Sequence, residues 1–348
     1  MREGTFIIAE VGQAHEGSLG LLHAYIDAIA ATGVDAIKFQ THIAEAESSA
    51  LEPFRIAFSK QDKTRYDYWQ RMSFSLPQWM EIKQHCDELG VEFMSTPFSI
   101  EAVGWLEELG VCRYKIGSGD THNFLLIDTI LATGKPVIIS TGMSSYRDID
   151  ELMAHCSDMT CVGVHDDETK NRITLMQCTT QYPTSLNAVG LNNLQEYRQR
   201  YGVPVGLSDH SGTIYPGIAA SLLGASIVEV HAVFDKRMFG PDVSSSLTIE
   251  ALAQLVEGIR ATHTMLSNPV DKNDNAHFSS LKNTFGRSLA INKTVVAGHC
   301  ISHDDLECKK PAGQGIDAKY YAQCIGKTLN KSLSKAAFLT EQDLNADA

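Results

Sequence analysis

Short apolar runs alternate along the chain with longer stretches in which apolar residues return every three or four positions. The runs Thr5–Val11, Asp35–Gln40, Val91–Ser95, Cys112–Ile116, Pro136–Ser140, Ile173–Cys178, Val203–Leu207 and Ser226–Glu229 have the length and continuity of strands buried on both faces. The stretches Leu19–Ala31, Pro77–Leu89, Ile100–Leu109, Leu125–Thr133, Tyr146–Cys156, Asn192–Tyr201, Tyr215–Leu223 and Ile249–Leu266 carry the helical period. Gly33, Gly90, Gly110 and Gly134 follow four of them, where a helix end favours a left-handed residue. Eight strands alternating with eight helices predict an α/β chain closed as a (β/α)8 TIM barrel over residues 1–268. A doubly wound open sheet is the alternative, but the G-x-G-x-x-G that would favour it after the first strand is absent.

Two intervals break the alternation. Thr41–Leu76 is longer than an ordinary strand-to-helix loop and carries Tyr66, Tyr68 and Trp69. It reads as a cover over the barrel top or as a surface insertion without a role. Residues 269–283, rich in Asn, Asp and Ser, read as a linker. Residues 284–348 then form a small mixed unit with apolar runs at Ser288–Ile291 and Thr294–Val296 and a turn at Pro311–Gly315.

Composition narrows the function. A formal charge of −13 argues against nucleic acid as partner, because a phosphate backbone demands a basic face. No apolar stretch approaches the ~18 residues of a membrane span, and the first strand begins at once without a leader-like segment, which predicts a cytoplasmic protein. The eight cysteines, Cys86, Cys112, Cys156, Cys161, Cys178, Cys300, Cys308 and Cys324, form no C-x-x-C pair. They read as reduced thiols rather than as a zinc site.

In a barrel, chemistry collects at the C-terminal strand ends. Here those ends carry Glu10, Lys38 with Gln40, Thr96, Lys115 with Ser118 and Asp120, Ser140, Thr180 with Tyr182, Ser208 with His210, and His231. A lone strand-end serine is usually a satisfied turn hydroxyl; eight consecutive ends of this kind are harder to explain as turn chemistry. Lys38 and Lys115, with hydroxyls from Thr96, Ser118, Ser140 and Ser208, would bind a small anion carrying phosphate and carboxylate. The turn Gly117-Ser118-Gly119-Asp120 would add backbone N–H groups to that seat. A Schiff-base lysine is the alternative use. His210 and His231, on adjacent strands, suit a divalent metal acting as a Lewis acid, with Glu10 as a further ligand directly or through water. Two packed histidines are the plainer reading.

The motifs Ile7-Ile8-Ala9-Glu10-Val11-Gly12, Lys38-Phe39-Gln40, Ser95-Thr96-Pro97-Phe98, Tyr114-Lys115-Ile116-Gly117-Ser118-Gly119-Asp120, Ser140-Thr141-Gly142-Met143, Tyr182-Pro183-Thr184, Gly206-Leu207-Ser208-Asp209-His210, Glu229-Val230-His231 and Gly240-Pro241-Asp242 occur in order along the chain. Together they resemble the sialic acid synthase family, the phosphoenolpyruvate-condensing nonulosonate synthases. Arg287-Ser288-Leu289, Lys310-Pro311 and Gly326-Lys327 extend the resemblance into an antifreeze-like (SAF, β-clip) domain.

The resemblance implies a domain-swapped homodimer that condenses phosphoenolpyruvate with an open-chain N-acetylhexosamine and releases phosphate. For N-acetylmannosamine the product is N-acetylneuraminate. The 9-phosphate-forming synthase and the legionaminate or pseudaminate synthases are the alternatives within the family, and a pyruvate aldolase or a non-catalytic sugar-binding protein the alternatives outside it. The resemblance places phosphoenolpyruvate on Lys38, Thr96, Lys115, Ser118, Ser140 and Ser208. It places Mn2+ (Mg2+ or Co2+ as alternatives) on His210 and His231, acid–base work on Glu10 and Asp120, and the sugar near Gln40, Thr180, Tyr182 and Asp242. The chain departs from the pattern at Ala14-His15-Glu16-Gly17, at Thr180, and at Lys310, which stands where the antifreeze-like module's sugar-contacting arginine is expected. Lysine keeps that charge but loses the bidentate fork. These departures bear on the sugar's identity more than on the reaction.

Overall fold

In a computed structural model, residues 4–56, 58–158 and 172–345 are described. They form two compact units, one ending at Asn268 and one beginning at Pro269. The first unit holds eight parallel strands: β1 Phe6–Glu10, β2 Ala36–Thr41, β3 Glu92–Pro97, β4 Tyr114–Ile116, β5 Val137–Ser140, β6 Ile173–Cys178, β7 Val205–Asp209 and β8 Ile227–Val233. Hydrogen-bonded neighbours run β3-β2-β1-β8-β7-β6-β5-β4, and β3 packs beside β4, so the sheet curls into a near-closed barrel. A two-residue strand, β9 (Leu247–Thr248), pairs with the last two residues of β8, Ala232 and Val233. Helices cover the outside, and their starts follow the local rules. Ser18, Ser99, Asn123 and Ser145 each accept a backbone N–H at an N-terminus, and Gly110 ends Ile100–Leu109 at φ 70°.

Strand parity sorts the barrel into layers. Ile7, Ile37, Phe93, Val137, Leu175 and Val228 point outward into the main core beneath the helices. Ile8, Ala36, Met94, Ile138, Met176 and Ile227 form a separate cluster inside the barrel. Two residues further along these strands the inward positions become Glu10, Lys38, Thr96, Ser140, Cys178 and Glu229. The apolar plug therefore supports a charged floor. Gly206 is the inward residue of β7 in the plug layer; a Cβ there would collide with Met176 Sδ and the Ile227 carbonyl. Glycine avoids that clash in the plug layer, and Ser208, two residues on, faces the floor by strand parity.

The second unit has its own apolar cluster of Leu289, Ile291, Val295, Ile301, Cys324, Leu329, Leu333 and Leu339. β10 (Ser288–Ile291) pairs antiparallel with β11 (Leu306–Lys309). The stretch read as a linker carries a 3-10 turn at Ala276–Phe278, and the helix Ser279–Phe285 begins within it.

The unit contains an internal repeat that the sequence reading did not anticipate. Ser302 and Asp305 form a capping box, and Lys293 Nζ reaches Asp305 at 2.6 Å. Thr340 and Asp343 repeat it, with Lys331 Nζ at 2.5 Å from Asp343. Asn292 and Asn330 each donate to the carbonyl preceding the buried aspartate, at 2.7 Å in both halves. Gly298 lies at φ 82° and its counterpart Ala336 at φ 73°, a region that costs an L side chain about 1–2 kcal/mol. Ala336→Gly is therefore expected to raise stability by about 0.5–1 kcal/mol after glycine's own entropy loss, read as a higher melting temperature; a lower one would contradict it.

Candidate active site

The C-terminal strand ends open onto a cavity of about 390 Å3. Glu10, Lys38, Gln40, Thr96, Lys115, Ser118, Asp120, Ser140, Thr180, Tyr182, Ser208, His210, His231 and Asp242 all line it. Lys310 belongs to the second unit, where its ammonium lies 5.0 Å from the Phe285 ring centroid.

The floor is a buried charge network. Lys38 Nζ lies 2.6 Å from Glu10 Oε2 and 3.7 Å from Glu229 Oε1, and donates to Thr96 Oγ1 at 3.2 Å. Lys115 Nζ lies 3.6 Å from the same Glu229 oxygen and donates to Ser140 Oγ at 2.7 Å. Ser208 Oγ donates to Glu229 Oε1 at 3.3 Å. Glu229 was noted only as part of the strand-end motif Glu229-Val230-His231 and given no role, yet it stands between the two lysines. Its parity gave the signal, since it lies two residues before His231 on one strand and so faces the same way.

These neighbours set the protonation states. Burial disfavours charge on Lys38, but Glu10 and Glu229 outweigh it and hold the lysine above its ordinary pKa. Lys115 is pulled below the ordinary value, by burial first and by the like charge of Lys38, against the opposing pull of Glu229. Burial would raise Glu229, but the two lysines hold it below the usual carboxylate range. Burial raises Asp120, with the charge of Glu47 adding to the effect.

The rim differs. His210 Nδ1 lies 3.0 Å from the Thr179 carbonyl, which can only accept. The proton therefore sits on Nδ1, and the Nε2 lone pair faces the Tyr182 hydroxyl at 3.3 Å. Burial, with His231 nearby, lowers the His210 pKa to about 4, so the ring is neutral at pH 7. The two imidazole centroids are 5.4 Å apart. Tyr182 stacks on His210 at 4.2 Å. Among the described residues no three His, Cys, Asp or Glu side chains converge as a complete metal cage. Both Glu10 oxygens are engaged, one by Lys38 and one by Gln40 Nε2 at 2.7 Å.

The glycines of the central turn act differently from expectation. Gly117 and Gly119 are not in the left-handed region, and Ser118–Asp120 forms a 3-10 turn. What Gly117 supplies is open space, with nothing within 4 Å of where a Cβ would sit. Ser118 Oγ accepts from the Gly142 N–H at 2.8 Å, which fixes its position. Thr180 Oγ1 is buried without a partner among the described residues.

The interval Thr41–Leu76 builds a wall of the cavity rather than a remote insertion. It holds the helices Ala44–Glu47 and Arg65–Met72 and lines the pocket with Glu47, Glu52, Arg55, Arg65, Tyr68 and Trp69. Arg55 lies 4.1 Å from the Tyr182 ring centroid and pairs with Asp242 at 2.6 Å. No sequence signal marked Arg55. The described cysteines are all free thiols, and Cys161 lies outside the described residues. No described helix is long and apolar enough to cross a membrane.

A parallel barrel whose mouth sets two buried ammoniums and two imidazoles around one cavity defines an enzyme acting on a small, multiply charged anion. Residues 25–271 match the NeuB family and residues 286–345 match the SAF domain. The chain is 31% identical over 340 residues to an N,N'-diacetyllegionaminic acid synthase of Campylobacter jejuni, covering 97% of this chain and 99% of that one. It is 29% identical to the human N-acetylneuraminate-9-phosphate synthase, covering 92% and 88%. A crystal structure of the N-acetylneuraminic acid synthetase from Leptospira borgpetersenii, in complex with citrate, superposes with a TM-score of 0.67 at 27% identity, covering 80% of this chain and 90% of that one. The chain belongs to the NeuB family, and it is a carbon–carbon bond-forming synthase of the phosphoenolpyruvate-condensing nonulosonate class.

Proposed function

We propose that the enzyme condenses phosphoenolpyruvate with open-chain N-acetylmannosamine and water to give N-acetylneuraminate and phosphate. The observation that carries this reading is the convergence of Lys38, Lys115, His210 and His231 on one cavity with four hydroxyls between them. The carboxylate and phosphate of the enol would lie against the two lysines, with Thr96, Ser118, Ser140 and Ser208 completing their hydrogen bonds. C3 of the enol attacks the sugar aldehyde, and the new C–C bond leaves C2 electron-poor. Water adds to C2, and the C2–O bond to phosphate then breaks to give the ketone. Both protons of the water must leave it: the first as it adds to C2, the second from the resulting C2 hydroxyl as the phosphate departs. One ends on the former aldehyde oxygen and one on the leaving phosphate, and Glu10 and Asp120 are the carboxyl groups we assign to these transfers.

The donor set also fits a divalent metal, Mn2+ foremost. The charges of Lys38 and Lys115 are already balanced by Glu10 and Glu229, so an enol phosphate of about −2.5 to −3 at neutral pH would enter without net compensation. His210, whose unprotonated Nε2 would exchange the Tyr182 hydroxyl for the ion, and His231 would hold it. Bound there, it supplies Lewis-acid polarisation of the aldehyde and offsets that charge.

The outer wall favours an unphosphorylated sugar. Glu47, Glu52, Asp120 and Asp242 line it, and its two guanidiniums are both committed, Arg55 to Asp242 and Arg65 to Glu52 at 3.5 Å. A 6-phosphate would meet carboxylates there with no free cation among the described lining residues. A legionaminate-type product, from a doubly N-acetylated sugar, is the second reading, and the Campylobacter jejuni relative favours it. N-acylated hexosamines and their 6-phosphates, each incubated with phosphoenolpyruvate and Mn2+, distinguish these by product mass. The expected result is a nine-carbon product from N-acetylmannosamine and none from the 6-phosphates. Turnover of a 6-phosphate in preference to its parent sugar would overturn the proposal.

A further inference from the structure

His42 sits one strand-end beyond the residues assigned above, buried to 3% exposure, and nothing in the proposed reaction uses it. Its ring is clamped between Trp69, at 3.8 Å and 18°, and Phe98, at 4.6 Å and 8°. Its Nδ1 meets Glu47 Oε1 at 2.7 Å, and its Nε2 meets Gln40 Oε1 at 3.0 Å. Both of these oxygens can only accept, so each ring nitrogen faces an acceptor, and Gln13 Nε2 also lies 3.3 Å from His42 Nε2. Gln40 in turn donates from Nε2 to Glu10 Oε1 at 2.7 Å, and Glu10 holds Lys38. One directed chain thus runs from Glu47 through His42 and Gln40 to Glu10 and the phosphoenolpyruvate lysine.

We infer that His42 is a positioning residue. Pinned by Glu47, it fixes the Gln40 amide so that its NH2 faces Glu10, and it thereby ties the Thr41–Leu76 insertion to the acid–base carboxylate. An amide is nearly symmetric in shape, so packing alone does not choose between its two orientations. The flipped one would set its oxygen against the Glu10 carboxylate. Gln13 Nε2 also donates to Gln40 Oε1, but Gln13 is itself an amide and can turn over together with Gln40. His42 cannot, because its other nitrogen is held by Glu47 and its ring plane by Trp69 and Phe98. Two links of the chain, Glu47 and His42, and the stacking Trp69 come from the insertion, which gives that segment a role at the reacting centre beyond covering it.

The inference rests on the functional reading above. The test is a double-mutant cycle on the full-length enzyme with phosphoenolpyruvate, N-acetylmannosamine and Mn2+. His42→Phe keeps an aromatic ring between Trp69 and Phe98 but removes both ring nitrogens. It is expected to lower kcat by about 10- to 100-fold, the scale of outer-shell partners, with KM for phosphoenolpyruvate little changed. Gln40→Met should give a comparable loss, and the double variant should be no worse than Gln40→Met alone, because both changes cut the same chain. Glu47→Gln keeps an acceptor oxygen for Nδ1 and should lose less than Glu47→Ala. If Phe does not fit the slot, as shown by a lowered melting temperature, His42→Gly with added imidazole is the second probe. Turnover restored by imidazole, and not by furan, which lacks an N–H, supports the role. Wild-type kcat in His42→Phe, losses that multiply in the double variant, or equal rescue by furan would each overturn it. A wild-type enzyme that released no phosphate with any sugar would instead overturn the functional reading, and this inference with it.

Discussion

Lys115→Met is expected to lower kcat/KM for phosphoenolpyruvate by about 30- to 4,000-fold, the equivalent of about 2–5 kcal/mol for truncating one partner of a buried, hydrogen-bonded charge pair. Lys115 is a cleaner probe than Lys38. Lys38 is the one cation paired with Glu10 among the described residues, at 2.6 Å, and its loss would strand that buried carboxylate and endanger the fold. Without Lys115, Glu229 keeps Lys38 as its partner, and methionine fills most of the vacated volume. The lost energy should therefore fall mainly on the incoming anion. Steady-state kinetics at varied phosphoenolpyruvate read the effect, and an unchanged kcat/KM would contradict the lysine seat. The same residue separates this reaction from a Schiff-base aldolase. Its lowered pKa would suit an imine-forming amine, but its position beside Glu229, Lys38 and Ser140 suits an anion better. Borohydride trapping of pyruvate on Lys115 would favour the aldolase.

His231→Ala is expected to lower kcat by about 100-fold or more, the scale of removing one group that stabilises developing charge. Excess Mn2+ should not restore it, because the remaining imidazole cannot hold the ion alone against water. Calorimetric titration with Mn2+ supplies a readout independent of turnover and should show weakened binding in the variant. Full activity in His231→Ala with the metal chelated would refute the Lewis-acid assignment. His231 lies edge-on to Tyr182, with centroids 6.1 Å apart. Mn2+ binding that matched the wild type, alongside lost turnover, would point to that contact instead.

Much of the barrel could be read from the sequence because a strand buried on both faces shows continuous apolar residues whatever its partners. The boundaries moved where a polar residue has a tertiary use. Asp35 was read as the start of β2; the strand begins at Ala36, and Asp35 just before it bonds both neighbouring strands through its backbone while its carboxylate accepts from the Ile7 N–H at 2.8 Å and from Arg260 at 2.6 Å. β8 was read as ending at Glu229, yet it continues through His231 to Val233, because these polar side chains face the barrel interior rather than water. The same assumption hid Glu229, since a lone glutamate near a strand end reads as a solvated residue until its parity with His231 is counted. Arg55 and Glu47 come from a segment with no period, where only tertiary contacts show which side chains turn inward. The repeat in the second unit is written in the sequence at an offset of 38, in Asn292-Lys293-Thr294 against Asn330-Lys331-Ser332 and in Ile301-Ser302 and Asp305-Leu306 against Leu339-Thr340 and Asp343-Leu344. It went unread because the residues between these anchors differ, their positions being held by backbone hydrogen bonds.

Diffraction from crystals soaked with phosphoenolpyruvate and Mn2+, collected at the manganese edge, tests the shared cavity most directly. The expected map has one anomalous peak between the His210 and His231 rings and continuous density for an enol phosphate against Lys38 and Lys115. An anomalous peak away from both imidazoles, or phosphoenolpyruvate density outside the barrel mouth, would contradict it.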